Sequence, residues 1–230
     1  MKLSPDRLAP PSHPVARLPE EWVAQAKAWG EPAYRGQQIF DWIHRQGVLD
    51  PSEMTNLPKR LRARLEEEGL GWPLRVTSRH PSDDGTTKLL VAMTDGECVE
   101  TVLIPQLGDH RLVTQCISSQ VGCAMGCVFC ASGVAGLKRQ MSDAEIISQV
   151  LLGRRELGPE RRVRNVVFMG MGEPLHNYDA VARALVVITH PDGLDLSKRR
   201  VTVSTSGLVN QIERLGSDFD GQVQLAVSLH

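Results

Sequence analysis

The apolar positions change their period near residue 75. Before it they recur at helical spacing in PEEWVAQAKAWG, RGQQIFDWIHRQG and LPKRLRARLEEEG. These stretches stop at Gly30, Gly47 and Gly69, where a helix end favours a residue that tolerates left-handed backbone. Ile39, Phe40, Trp42 and Ile43 form one broad apolar face, so residues 1–74 read as a small helical domain. Beyond the change, KLLVAMTDGECVETVLIP predicts two strands joined at Thr-Asp-Gly-Glu, because Asp-Gly accepts the positive φ of a tight turn. Residues 75–108 therefore read as a β-hairpin linker region.

From 109 to 230 strands alternate with helices, as in βα units that feed a parallel sheet. The strands are RLVTQCIS, RNVVFMG, RVTVSTSG and VQLAVSLH. The first helix opens on Ser-Asp-Ala-Glu, where Ser142 and Glu145 can close a capping box; the others start near Asn177 and Ser206. A sheet covered on both faces has uniformly apolar strands, and these do not. Val201 and Val203 oppose Thr202, Ser204 and Ser206; Val223, Leu225, Val227 and Leu229 oppose Gln224, Ala226, Ser228 and His230. Apolar towards its helices and polar within, the sheet reads as a partial α/β barrel around a polar ligand at the strand C-terminal ends. MGMGEP, STSG and SLH fall at those ends.

Composition narrows the setting. The 230 residues are 41% hydrophobic with no apolar run long enough to cross a bilayer. MKLSPDRLAPPSHPVARLPEEW has prolines and charges where a secretion signal needs an apolar stretch. The expected location is the cytoplasm, with no membrane partner. Disulfide staples are uncommon there, so five cysteines point to metal ligation or redox chemistry. A net charge of −1 does not announce a nucleic-acid binder, although KRLRARL, LKRQ, RRVR and KRR are basic patches. A solvated face explains any one of them more simply.

Three cysteines, Cys123, Cys127 and Cys130, follow the first barrel strand with spacing C-x3-C-x2-C. Zinc normally takes four ligands in paired knuckles, and no second knuckle or nearby histidine is present. Three thiolates suit a four-iron cluster with one iron left for a cosubstrate. Ala124 and Gly126 allow a tight loop, and Phe129 offers an aromatic surface beside it.

CAMGCVFC at a barrel mouth with MGMGEP downstream resembles the radical S-adenosylmethionine (SAM) superfamily. CVETVLIP, CISSQVGCAMGCVFCASG, NVVFMGMGEPLHNYD, VTVSTSG and LAVSLH, in that order, are similar to the RlmN family of dual-specificity RNA methyltransferases. YRGQQIFDWIHRQG and EMTNLPKRLRARL are similar to that family's accessory domain, so the resemblance spans nearly the whole chain. It implies an α/β fold with four of about six parallel strands of a (βα) radical SAM barrel, preceded by an RNA-contacting helical domain. It also implies methylation of adenine carbon 2 in 23S rRNA and tRNA, a [4Fe-4S] cluster with S-adenosyl-L-methionine, an electron donor such as flavodoxin or ferredoxin, and a monomer at full length.

The same resemblance assigns roles. Cys123, Cys127 and Cys130 hold the cluster; Gly172, Glu173, Ser204, Ser228, Leu229 and His230 contact SAM. Glu100 shares a strand face with Cys98, Val102 and Ile104, where partial desolvation would raise its pKa into a general base's range. The family makes it the proton acceptor. Cys116 matches a cysteine that forms a transient disulfide with a methyl-carrying cysteine from the C-terminal part of the family's chain. All five cysteines here lie between 98 and 130 and Cys98 has no family role, so the sequence is expected to be C-terminally truncated and inactive alone. Two alternatives stand beside this: a carbon-8 methyltransferase of the Cfr type and a non-catalytic iron–sulfur RNA-binding fragment.

Overall fold

The computed structural model describes residues 7–229. Its N-terminal third is helical: α1 (Pro19–Ala28), α2 (Tyr34–Phe40), a π-helical turn (Asp41–Gln46) that prolongs α2, and α3 (Lys59–Glu67). Gly30, Gly47 and Gly69 all take positive φ, and Ile39, Phe40 and Ile43 are fully buried. Glu21 fixes the start of α1 by accepting the Leu18 N–H at 2.7 Å.

Among the described residues seven strands form one mixed sheet. β1 (Leu74–Pro81), β2 (Thr87–Met93), β3 (Cys98–Gln106) and β4 (Asp109–Cys116) pair antiparallel in sequence order. After β4 come the short hairpin β5 (Gln120–Gly122) and β6 (Leu137–Gln140), with the one-turn helix α4 (Ala131–Val134) between them. Then α5 (Asp143–Leu157), β7 (Arg162–Phe168), α6 (Tyr178–Ile188), β8 (Val201–Thr205), α7 (Val209–Asp218) and β9 (Gln224–Val227) follow. The sheet order is β1-β2-β3-β4-β7-β8-β9, and β4, β7, β8 and β9 are mutually parallel. The four parallel strands are those the alternation predicts. The hairpin β2–β3 is hydrogen-bonded into the same sheet through β4, with β1 as an additional outer strand.

The two faces of the sheet differ as the pattern requires. Val113, Val166, Phe168, Val201 and Val203 are buried on the helix side; Thr114, Asn165, Thr202 and Ser204 are half-buried on the other, where Asn165 donates to Thr114 at 3.0 Å. On β9 the expectation fails beyond Val223. Leu225, Val227 and Leu229 are exposed, because no described element covers that part of this edge strand.

α5 is buried along most of its length, since the sheet lies on one side and the N-terminal segment on the other. Its Ser142–Glu145 capping box forms as predicted. Arg183 of α6 closes the junction. Fully buried, it pairs bidentately with Glu21 at 2.9 and 3.0 Å and donates to the carbonyls of Ala9 and Ala16. Five guanidinium donors in a rigid fork suit this desolvated position better than an ammonium would. Among the described residues no helix is long and apolar enough to cross a membrane.

Candidate cluster and cosubstrate site

The cysteine loop grows out of β5 and returns through α4 to β6. Glycines make the closure possible. Gly122 has φ +78, and a Cβ there would lie 1.8 Å from the Gly136 carbonyl oxygen; a Cβ on Gly133 would lie 2.7 Å from the Cys127 nitrogen. The Cys123 N–H donates to Gly136 and the Cys130 N–H to Cys127, both at 3.1 Å. All five cysteines are free thiols. Among the described residues no three His, Cys, Asp or Glu side chains converge on a point that one ion could fill. The donor set nevertheless fits a polynuclear cluster, whose thiolate ligands bind separate corners rather than one centre. Burial raises the Cys123 thiol's pKa, the Met125 N–H opposes that, and the neighbouring Cys127, Cys130 and Glu173 raise it further. A raised pKa favours the neutral Cys123 thiol, so this residue would give up its proton on ligating a cluster.

MGMGEP follows β7 and lies against the chain that leaves β4. Ser119 and Gln120 donate backbone N–H groups to the Met171 carbonyl, and Glu173 donates its N–H to the Gln120 side chain at 2.8 Å. Gly172 has φ +101, and a Cβ there would sit 2.5 Å from Gln120 Cβ; one on Gly170 would sit 2.6 Å from Ser118 Oγ. Only glycine fits at either place. The Glu173 carboxylate is buried and accepts the Leu175 N–H at 3.0 Å and the Ser206 N–H at 2.7 Å. It thereby clasps the ends of β7 and β8 together. Each oxygen still has lone-pair capacity for a further donor. Ser204 and Ser228 approach to 3.5 Å between hydroxyls, and Leu229 is exposed beyond them. His230 lies outside the described residues.

Glu100 and Cys116 share one sheet face. Cys116 is opposite Val102 in the β3–β4 register, and Glu100 lies two residues along the strand. Burial raises the Cys116 thiol's pKa, against a backbone N–H from Met169. Glu100 itself is half-buried. Its side chain is 46% exposed and pairs with Lys88 Nζ at 2.9 Å, because Val99, Thr101 and Leu103 take the buried side of β3. Cys98, which has no role in the family, is half-buried.

Sequence reasoning missed the polar supports. Ser118 Oγ donates to the Glu100 carbonyl at 2.7 Å and accepts the Met171 N–H at 2.9 Å, so one hydroxyl joins β3 to the glycine-rich loop. Gln149 of α5 holds both the N–H and the carbonyl of Ser118. Asn177 donates to the carbonyls of Ser119 and Met141. The available signal was the polar run Ser-Ser-Gln after a strand, where buried side chains must find partners.

Residues 20–69 match the ribosomal RNA large subunit methyltransferase N-terminal domain, and residues 117–230 match the radical SAM superfamily. A dual-specificity RNA methyltransferase RlmN of Sorangium cellulosum is 55% identical, over 96% of this chain and 64% of its own. A probable RlmN of Heliobacterium modesticaldum is 46% identical, over 93% and 56%. A crystal structure of a radical SAM methyltransferase from Sphaerobacter thermophilus superposes with a TM-score of 0.88 at 43% identity, covering 96% of this chain and 64% of that one. The chain thus spans roughly three fifths of the length of these relatives.

Proposed function

The chain belongs to the RlmN family of the radical SAM superfamily, and from that premise we propose that it serves SAM-dependent methylation of adenine carbon 2 in 23S rRNA and tRNA. One observation carries the reading. The three-cysteine loop, the glycine-rich loop and Ser204 lie at the C-terminal ends of four parallel strands, where Glu173 donates its N–H to the Gln120 side chain just before the cysteine loop and its carboxylate accepts the Ser206 N–H just after β8. Open parallel sheets bind their ligands at that edge.

A four-iron cluster and SAM, bound together, supply a carbon radical able to take hydrogen from an unactivated methyl group. The chain's own groups do the holding. Cys123, Cys127 and Cys130 would ligate three irons. Gly172 lets backbone approach the methionine moiety, and Glu173 offers its spare lone pairs to the amino group. Ser204, Ser228, Leu229 and His230 complete the SAM contacts. Glu100 is the proton acceptor, exposed enough on the sheet face to meet a base and held in place by Lys88. Cys116, on the same face, is the thiol that would form the transient disulfide with the family's methyl-carrying cysteine. The electron comes from a flavodoxin- or ferredoxin-type carrier in the cytoplasm.

The test is to express the complete reading frame, reconstitute iron and sulfide anaerobically, and supply SAM, reductant and an rRNA fragment. Mass analysis should find 2-methyladenine together with 5′-deoxyadenosine, and neither with Cys127→Ala. Methyl on carbon 8 would establish the Cfr-type alternative, and RNA binding without deoxyadenosine would leave only the non-catalytic one.

A further inference from the structure

The four basic patches of the sequence have different fates in the fold. In LKRQ, Lys138 pairs with Glu97 at 3.0 Å, and Arg139 with Asp95 and Glu145 at 2.6 and 2.9 Å. That patch is neutralised. In α3, Arg60 pairs with Glu31 at 2.6 Å and Arg62 donates to the Ser52 carbonyl. RRVR and KRR behave otherwise. They come together at the N-terminal end of the parallel strands, opposite the cysteine loop, with the last turn of α5.

Two adjoining concavities occupy that end, of about 410 and 280 Å³. The first is lined by Arg154, Arg155, Arg161 and Arg162 under the loop that leaves the π-helical turn. The second shares Arg154 and Arg162 and adds Arg164 and Arg200. Among the described residues none of the six guanidiniums lies in an ion pair. Only Asp50, Glu53 and Asp195 bring carboxylates to the lining, and Asp50 already caps the Ser52 N–H at 2.8 Å. Arg154 is anchored by donating to the carbonyls of His44 and Arg45, where a helix end presents its negative pole. Arg155 lies over the Trp72 ring at 5.5 Å. The neighbours that fix these two are neutral, which leaves their charge uncompensated.

We propose that this double groove is a docking track for RNA phosphodiester backbone, a second contact remote from the catalytic edge. Like charges gathered from α5, β7 and the turn before β8 repel one another, and a polyanion relieves that repulsion. The two concavities are joined through shared arginines, so they form a track for successive phosphates rather than a cup for one. Trp72 is covered by Arg155, and the groove therefore reads charge and spacing, not bases. The proposal rests on the RNA-acting reading above. It adds a surface that positions a long substrate while its target base reaches the opposite end of the strands.

Fluorescence anisotropy with a labelled 23S rRNA hairpin and with tRNA, across a salt series, tests it on the full chain. Arg161, Arg162 and Arg200 are exposed, so their combined replacement by Ala should leave the fold intact, as thermal melting would verify. Each lost phosphate contact lowers the log K against log salt slope by about 0.7–0.9, so the triple variant should lose about 2–3 units. The triple Lys variant should keep the slope. An unchanged slope in the Ala variant, while the parent chain binds RNA, overturns the groove alone. A parent chain that binds neither RNA overturns the RNA-acting reading and the groove with it. If the Ala variant loses binding to anionic phospholipid vesicles and not to RNA, the groove is a membrane contact and the proposal fails. Inorganic phosphate that displaces the hairpin at equal ionic strength more effectively than chloride would reduce the track to a single-phosphate cup and likewise overturn it.

Discussion

Acidification should destabilise this protein through His44, and replacing that residue should remove the effect. His44 is fully buried at the junction between the helical region and the barrel. Its ring is 4.4 Å from that of Phe40, and neither ring nitrogen has a well-formed hydrogen bond. The Val15 carbonyl favours the charged ring slightly, but desolvation dominates, and His190 and Arg154 add repulsion; the pKa falls from 6.5 to about 3. The folded value lies below the unfolded one, so the stability is present above pH 6.5 and is lost as pH falls towards 3. Between pH 7 and pH 5 the unfolded chain gains most of a proton that the folded chain refuses. That difference is about 1.4 pKa units, or about 2 kcal/mol. In urea unfolding followed by tryptophan fluorescence, with a slope of about 2 kcal/mol/M, the midpoint should drop by about 1 M over that range. His44→Leu should keep its midpoint nearly constant, apart from a smaller contribution of the same sign from His13, whose pKa burial also lowers. Equal losses in the parent chain and in His44→Leu would refute the reasoning, because the proton would then be entering elsewhere.

Replacing any one of Cys123, Cys127 or Cys130 by Ala should abolish retention of iron and sulfide after anaerobic reconstitution and desalting, whereas Cys116→Ala should retain both; stoichiometric zinc without sulfide in the parent chain would contradict this. Gly172→Ala must displace Gln120 and strain a φ of +101, so SAM affinity measured by equilibrium dialysis of the reconstituted protein should fall at least tenfold. Glu173→Gln keeps the shape but has a single acceptor oxygen for the N–H groups of Leu175 and Ser206, and one of them is left unpaired. Unfolding free energy should fall by about 1–3 kcal/mol, and a loss below a few tenths would mean that the clasp does not bear on stability.

Local chemistry was legible in the amino-acid order. The helix-ending glycines, the Thr-Asp-Gly-Glu turn, the Ser142–Glu145 box and the four parallel strands all depend on residues within a few positions of one another, and each forms in its expected place, although the apolar side of β9 is left uncovered. The cysteine spacing and the following glycine-rich loop are likewise short-range, so they disclosed the candidate chemistry before any fold was known. Other features depended on partners distant in the chain. β1 was not read, because Leu74–Pro81 becomes a strand by pairing with β2, and its own exposed residues have no apolar rhythm. Ser118, Gln149 and Asn177 look like ordinary polar residues until the fold brings a carbonyl or N–H to each. Alternation places Glu100 on one face of β3 without naming its partner there, and the pairing of β2 with β3 supplies that partner, Lys88. Charge shows the same division. LKRQ and RRVR are alike on the page, yet tertiary structure pairs the first with carboxylates and leaves the arginines of the second without an ion pair among the described residues, because Coulomb energy follows distance in space and not along the chain.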